Sequence, residues 1–298
     1  MAIKNMKKIT EKAYAKINLH LDITSKYPDG YHGVNTVMQT VSLCDDVSIS
    51  LNDTGSISLL CDAPGIPCDG KNIAWRAAEL FFDRLGLTYG AEIEIVKRIP
   101  SPAGLAGGSA DAAAALRGLN TLCEAPMSTE QLCELGALLG ADVPFCIVGG
   151  TCFADGRGDI LHMLPPMPDC AVVIACEGEG VSTPWAYGEL DRIYDSFKPD
   201  EYLPRDMSGV IRTLENSDLR GMAGEIFNIF EVPVLSKRPV AAKIRKFFLE
   251  NGALGAMMSG SGPAVFALFE NDADAEAVAE KSDFRSFICR PVRRIISL

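Results

Sequence analysis

The chain has 298 residues, 48% hydrophobic and 22% charged, with a formal net charge of −11 at pH 7. This is the composition of an ordinary globular protein long enough for two cores, and the acidity argues against a nucleic-acid binder or a polybasic membrane anchor. No run approaches the roughly 20 apolar residues of a membrane span, and the N-terminal MAIKNMKKITEK lacks the apolar stretch of a secretory signal. The ten cysteines form no C-x-x-C and, beside three histidines, no zinc spacing. They read as reduced thiols in a cytoplasmic protein.

In chain order, Ala13 to Ile23 alternates as a strand. Ala15, Ile17, Leu19 and Leu21 point one way; Tyr14, Lys16, Asn18 and His20 point the other. Lys16 and Asn18 therefore share a face about 7 Å apart, either solvated or functional. Pro28-Asp29-Gly30 signals a turn. Behind it, Tyr31 and His32 offer a stacking ring and a two-sided hydrogen-bonding ring, or simply decorate a loop. Met38 to Val47 and Val47 to Leu60 read as strands, Asn72 to Leu85 as a helix, and Ala91 to Arg98 as a strand ending at Lys97.

The organising stretch is Ile99 to Asn120, IPSPAGLAGGSADAAAALRGLN. Pro100 and Pro102 stiffen the approach, Gly104, Gly107 and Gly108 free the backbone, and a helix is expected to start near Ser109. The first N–H groups of such a helix lack intrahelical partners, and its dipole adds roughly half a positive charge there. That is a recipe for holding phosphate. No lysine follows Gly108, so this is not a Walker A loop; Gly104-Leu105-Ala106 breaks the dinucleotide pattern G-x-G-x-x-G. A glycine turn capping a buried alanine helix is the plainer alternative.

Further on, Ser128 and Gln131 form a capping box for a helix expected to end at Gly140, and Asp142 looks like the N-cap of Val143 to Val148. Cys152 to Met163 reads as a hairpin around Asp155-Gly156-Arg157-Gly158. The Pro165 to Pro168 cluster suggests a boundary between domains 1–164 and 165–298. Ala171 to Ala175 reads as a strand. Ser182-Thr183-Pro184 opens a helix with Pro184 at its first position and Tyr187 on its first turn. A polar loop over 198–204 follows, then helices around Gly209 to Leu214, Met222 to Phe230 and Pro239 to Glu250. Gly255 to Phe266 is a hairpin around a Ser/Gly turn, Asn271 to Glu280 a helix, and Phe284 to Leu298 a closing strand. This order suggests an α+β second domain of ferredoxin-like type.

Three blocks, AYAKINLHL, PSPAGLAGGSADAA and MMSGSGPAVF, resemble in order and spacing the three motifs of the GHMP kinase superfamily. Pro28 to His32, Gly140 to Pro144 and Gly252 to Ala256 narrow the resemblance to the branch acting on a cytidine diphosphate substrate. The resemblance covers nearly the whole chain. It implies an α+β, two-domain fold: an N-terminal α/β domain like domain 2 of ribosomal protein S5, and a ferredoxin-like C-terminal domain, with the active site between them.

The resemblance further implies an ATP-dependent kinase that uses Mg2+ and passes the γ-phosphate to the 2-hydroxyl of a methylerythritol unit, in the non-mevalonate isoprenoid pathway. Its partner is a small molecule, with no nucleic acid or membrane, and the protein is a monomer or homodimer. Lys16 and Asp142 match the catalytic pair. Pro102, Gly104, Leu105, Ala106, Gly107, Gly108 and Ser109 match the phosphate loop, with Asn72 and Lys97 near the nucleotide. Asn18, Tyr31, His32 and Tyr187 match the substrate contacts, two rings sandwiching the cytosine and His32 reading its edge; no metal ligand is assigned. Gly260, Ser261 and Gly262 match the third motif; Asn228 to Glu231 carries no functional weight. Ala106 stands where many members have Gly, tolerable at negative φ. Ala110 stands where most have Ser, removing a hydroxyl that could touch phosphate or Mg2+. The rival expectations are a kinase for mevalonate, homoserine or a sugar, and a nucleotide-binding relic without turnover.

Overall fold

Two long strands carry the first half of the molecule. The computed structural model describes residues 8–124, 127–197 and 202–296. The N-terminal residues 1–7, most of the loop expected over 198–204, and the last two residues of the expected closing strand lie outside the described residues. β1 (Lys8–Lys26) and β2 (His32–Asn52) pair antiparallel around the Pro28-Asp29-Gly30 turn. β2 is one strand where two were expected to meet at Val47. The break comes later, where the Asn52 side chain takes the N–H of Thr54 and Gly55 adopts φ +72°, and β3 (Ile57–Cys61) follows.

Next come α1 (Ile73–Leu85), β4 (Gly90–Val96), α2 (Gly107–Leu122), α3 (Thr129–Ala137), α4 (Asp142–Val148), β5 (Thr151–Asp155) and β6 (Ile160–Met163). The second half holds β7 (Ala171–Ala175), α5 (Thr183–Ile193), α6 (Ser208–Glu215), α7 (Leu219–Glu225), β8 (Phe227–Asn228), α8 (Glu231–Lys237), α9 (Pro239–Glu250), β9 (Gly255–Met258), β10 (Val265–Phe269), α10 (Asp272–Lys281) and β11 (Ser286–Cys289). One sheet runs β3-β4-β2-β1-β8, with β5 and β6 extending from β2. The other runs β11-β7-β10-β9, which in its own strand numbering is 4-1-3-2, the ferredoxin-like order.

Several boundaries differ from expectation for local reasons. α3 has its capping box, with Ser128 Oγ accepting from Gln131 N–H and Gln131 Oε1 accepting from Ser128 N–H, but it ends at Ala137 and not Gly140. Asp142 is the first helical residue of α4 and does not cap it. α5 begins at Thr183, so Pro184 is second and Tyr187 falls on the second turn. The helix expected over Met222 to Phe230 stops at Glu225, because Phe227 and Asn228 pair in parallel with His20 and Leu21. The closing strand spans only Ser286–Cys289; Pro291 cannot extend the ladder, and the chain crosses back to bridge Val41 and Gly149.

α2 lies at the centre. Its alanines 112–115 are fully buried, and at Gly118 a Cβ would come 2.4 Å from Ile49 Cδ1, so the helix rests directly on the sheet. Buried Arg117 ties three segments, its guanidinium donating to Cys146 O, Lys12 O and Glu11 Oε2. The face of β1 carrying Lys16, Asn18 and His20 is not solvated: these residues are 4%, 2% and 1% exposed. The second half of the chain roofs it, with Gly260 N–H on Asn18 and the Phe227 ring 5.6 Å from that of His20.

Asn228 is the fastener of that roof. Its Nδ2 donates to Met258 O (2.7 Å) and Gly260 O (2.9 Å), and its Oδ1 accepts from Phe230 N–H (2.9 Å). Asn228→Ala leaves three buried backbone groups without partners, and denaturant unfolding is expected to show a loss of about 3 kcal/mol.

Candidate active site

The chain leaves β4 through Lys97 to Pro100 and turns at Gly104, whose φ is +80°. A Cβ there would sit 2.1 Å from Ser259 O and 2.9 Å from Gly262 N. Ala264 N–H donates to Ala103 O (3.1 Å), and Ser259 Oγ donates to Gly104 O (3.0 Å). The two glycine-rich turns thus interlock backbone against backbone. Ala106 corrects its expectation: its φ is +57°, a conformation that costs a non-glycine residue about 1–2 kcal/mol. Its carbonyl accepts from Ala110 N–H and closes the first turn of α2, which begins at Gly107 and not near Ser109. The N–H groups of Gly107, Gly108 and Ser109 have no intrahelical acceptor. Ala110 is buried in the core and does not line the cavity, whereas Ser109 does.

Opposite this loop stand Lys16 and Asp142. A register shift in β1 between Tyr14 and Lys16 aims the lysine inward, and its backbone N–H donates to Leu105 O in the loop. Lys16 Nζ donates to Asn18 Oδ1 at 2.7 Å and lies 3.8 Å from Asp142 Oδ2. The ammonium is buried, while the carboxylate is 39% exposed at the cavity mouth. Asn18 Nδ2 donates to Thr36 Oγ1, and Gly260 N–H donates to Asn18 Oδ1 (3.0 Å). Asn18 therefore couples the lysine to the third motif. The cavity is about 450 Å³ and includes Gly104 to Ser109, Lys16, Asn18, Asp142 and Tyr187. An ammonium and a carboxylate facing a helix N-terminus can align a hydroxyl against a phosphoryl group and neutralise developing charge.

A second lobe of about 780 Å³ opens beside it, lined by Tyr31, His32, Gly140, Tyr187 and Asp191. The lobes share Ala141, Arg157, Thr183 and Tyr187, which makes one cleft. His32 stacks on Tyr187 (centroids 4.7 Å, 25°), and Tyr187 meets Phe230 edge-on. His32 Nε2 is 2.7 Å from Asp191 Oδ1, and Lys26 Nζ is 2.5 Å from Asp191 Oδ2. Burial opposes charge on Asp191, but the hydrogen bonds from Lys26 and His32 outweigh it and hold its carboxyl below the usual range. Tyr31 is 60% exposed, with the Arg157 guanidinium 4.4 Å over its face. One edge of His32 is thus already taken by Asp191.

Two expected nucleotide residues stand outside this cleft. Asn72 caps α1, accepting from Ala74 N–H and donating to Pro67 O. Lys97 is buried between Asp45 (2.5 Å) and Asp111 (2.7 Å). It borders a third hollow of about 300 Å³ with Asp62, Arg98, Pro100 and Ser101, and the two last residues also line the main cavity. Sequence reasoning missed Arg157, hidden in a hairpin turn, and Asp191, which the i, i+4 spacing from Tyr187 could have disclosed. It also gave no weight to Asn228 or to Glu231, whose Oε1 accepts from Met258 N–H.

Residues 72–150 match the family model of the GHMP kinases N-terminal domain, and residues 210–283 that of the GHMP kinases C-terminal domain. A 4-diphosphocytidyl-2-C-methyl-D-erythritol kinase of Exiguobacterium sibiricum is 43% identical over 268 residues, 90% of this chain and 91% of its own. That of Acetivibrio thermocellus is 40% identical over 290 residues, 96% and 100% of the two chains. The crystal structure of a 4-(cytidine 5'-diphospho)-2C-methyl-D-erythritol kinase superposes with a TM-score of 0.77 at 31% identity, covering 95% of this chain and 99% of the other.

Gly104→Ala tests the interlock. Its Cβ would strike a backbone carbonyl at a φ that disfavours side chains. The thermal midpoint is expected to fall, with a loss of about 2 kcal/mol or more in denaturant unfolding.

Proposed function

The chain belongs to the 4-diphosphocytidyl-2-C-methyl-D-erythritol kinases of the GHMP kinase family, and we propose that its cleft performs their phosphoryl transfer through the residues named above. It is an ATP-dependent small-molecule kinase. The γ-phosphate of ATP passes to the 2-hydroxyl of the methylerythritol unit. One observation carries this reading: a single cleft has a helix N-terminus at one end, Lys16 and Asp142 in the middle, and Tyr31, His32 and Tyr187 at the other. Relatives at 40–43% identity over at least nine-tenths of the chain favour it over kinases for mevalonate, homoserine or sugars.

In this reading the N–H groups of Gly107, Gly108 and Ser109 hold ATP phosphates, and the hollow beside Pro100 and Ser101 takes the rest of the nucleotide. Among the described residues no group of three or more His, Cys, Asp or Glu side chains could hold a metal. In this reading Mg2+ enters on the triphosphate, where it would neutralise phosphate oxygens. Asp142 orients the 2-hydroxyl and takes its proton late, and Lys16 stabilises charge on the transferred group. Asn18 holds Lys16 in place. The cytosine lies in the outer lobe against Tyr31 and Tyr187. Since a carboxylate only accepts, His32 donates Nε2–H to Asp191. The other ring nitrogen, Nδ1, is left for the edge of the cytosine.

We place the enzyme in the cytoplasm. All ten cysteines are free thiols, and burial pushes several of them up, Cys152, Cys170 and Cys289 to about 12. Among the described residues no helix is long and apolar enough to cross a membrane.

Release of ADP is expected with the cytidine diphosphate methylerythritol, and not with methylerythritol 4-phosphate or mevalonate; turnover of mevalonate would overturn the substrate assignment. Asp142→Asn is expected to keep ATP binding and lower kcat by at least ~100-fold. Unchanged turnover would remove Asp142 from the mechanism. His32→Ala should raise KM for the cytidine substrate far more than KM for ATP, and equal effects would count against the outer lobe as the cytidine pocket.

A further inference from the structure

Beneath the phosphate loop lies a buried cluster that the mechanism does not use. Asp45, on β2, is fully buried, and Lys97 and Asp111 are each about 5% exposed. Asp45 Oδ1 accepts from the N–H groups of Arg98 and Ile99, where the chain enters the loop. Its Oδ2 receives Lys97 Nζ at 2.5 Å, and the same ammonium reaches Asp111 Oδ2 at 2.7 Å, on the second turn of α2. At Gly107 a Cβ would come 3.3 Å from Lys97 Nζ, so the ammonium lies directly under the first residue of the helix. The remaining oxygen of Asp111, Oδ1, is buried and has no hydrogen-bond partner.

Two carboxylates and one ammonium leave one surplus negative charge when all are ionised. That charge sits about 3–6 Å along α2 from the N–H groups that would receive phosphate. It opposes an anion there. We propose that the Asp45–Lys97–Asp111 triad is a positioning element for the phosphate loop, and that Asp111 sheds the surplus charge by binding one proton from solvent when nucleotide phosphate occupies the loop. This rests on the loop being the nucleotide phosphate site.

The surroundings support the uptake. Burial is the largest influence on Asp111 and, with Asp45 close by, it outweighs Lys97 and raises the carboxyl to about 7. Burial pulls Lys97 down, but Asp111 and Asp45 outweigh it and keep the ammonium protonated. The other titratable groups near Asp111 are the thiols of Cys61 on β3 and Cys146 on α4, both pushed up by burial and so neutral at pH 7. A protonated Asp111 can donate to Asp45. Phosphate at the helix end adds a negative charge and cancels the dipole that favours the Asp111 carboxylate, so both effects push the proton on. The sign follows: binding strengthens as pH falls toward 7 and weakens as pH rises above it.

Calorimetry with Mg-ADP, repeated in buffers of different ionisation enthalpy, reads the proton count directly. In the wild-type protein up to about one proton should be taken up per ADP at pH 7.5 and almost none at pH 5.5, and the Kd should rise from pH 7 to pH 8 by up to about tenfold, the limit for one proton. In Asp111→Asn, which mimics the protonated acid, the uptake should vanish and the Kd should stay flat over that interval. A purely structural triad would change stability without changing the proton count. Uptake equal in wild type and variant, or wild-type uptake near zero at pH 7.5, overturns the inference while leaving the kinase reading intact. A wild-type uptake near zero decides against the inference even if the variant does not fold. No binding of Mg-ADP at all overturns both readings.

Discussion

The Ser259 carbonyl occupies the space that a side chain at Gly104 would need. Around that contact the two glycine-rich turns lock together, with Ala264 bonded to Ala103 and Ser259 to Gly104. The first half of the chain supplies the helix that can hold phosphate, and the second half supplies the turn that fixes the loop's shape. Neither turn keeps its geometry alone. Ala106 at φ +57° carries a local cost that only this surrounding packing can offset.

From the same contact a polar path runs to the middle of the cleft. Asn228 grips the third-motif turn, Gly260 N–H reaches Asn18, and Asn18 holds Lys16. Each of these side chains is almost fully buried, and each finds partners with good geometry. Burying them without those bonds would cost several kcal/mol. With the bonds, the ammonium has one place to be, 3.8 Å from Asp142. This is how β1, whose polar face looks solvated in isolation, comes to carry a buried lysine.

The protein as a whole repels anions, with a net charge of −11, yet its ligands in the proposed reaction are highly anionic. Particular donors meet them in the cleft. The open end of α2, the buried Lys16 and the Arg157 guanidinium at the junction of the two lobes all face the cleft. Asp45 and Asp111 lie beneath the loop, bridged by Lys97.

Much of this was legible in the sequence. The glycine loop before an alanine run, the Lys16 and Asn18 spacing, the Ser128 capping box and the third motif each follow from local rules of backbone freedom, strand period and helix-end bonding. The family resemblance gave the α+β architecture, since its three motifs span the chain. Tertiary structure decided the rest, because those outcomes depend on what arrives from elsewhere. Phe227 and Asn228 became a strand because β1 was there to pair with. Lys97 lies between Asp45 and Asp111, the first of them 52 residues away, a pairing that no local pattern discloses. His32 lost one ring nitrogen to Asp191, 159 residues away. Local sequence determined which groups could bind phosphate; long-range packing determined which of them were left free to do so.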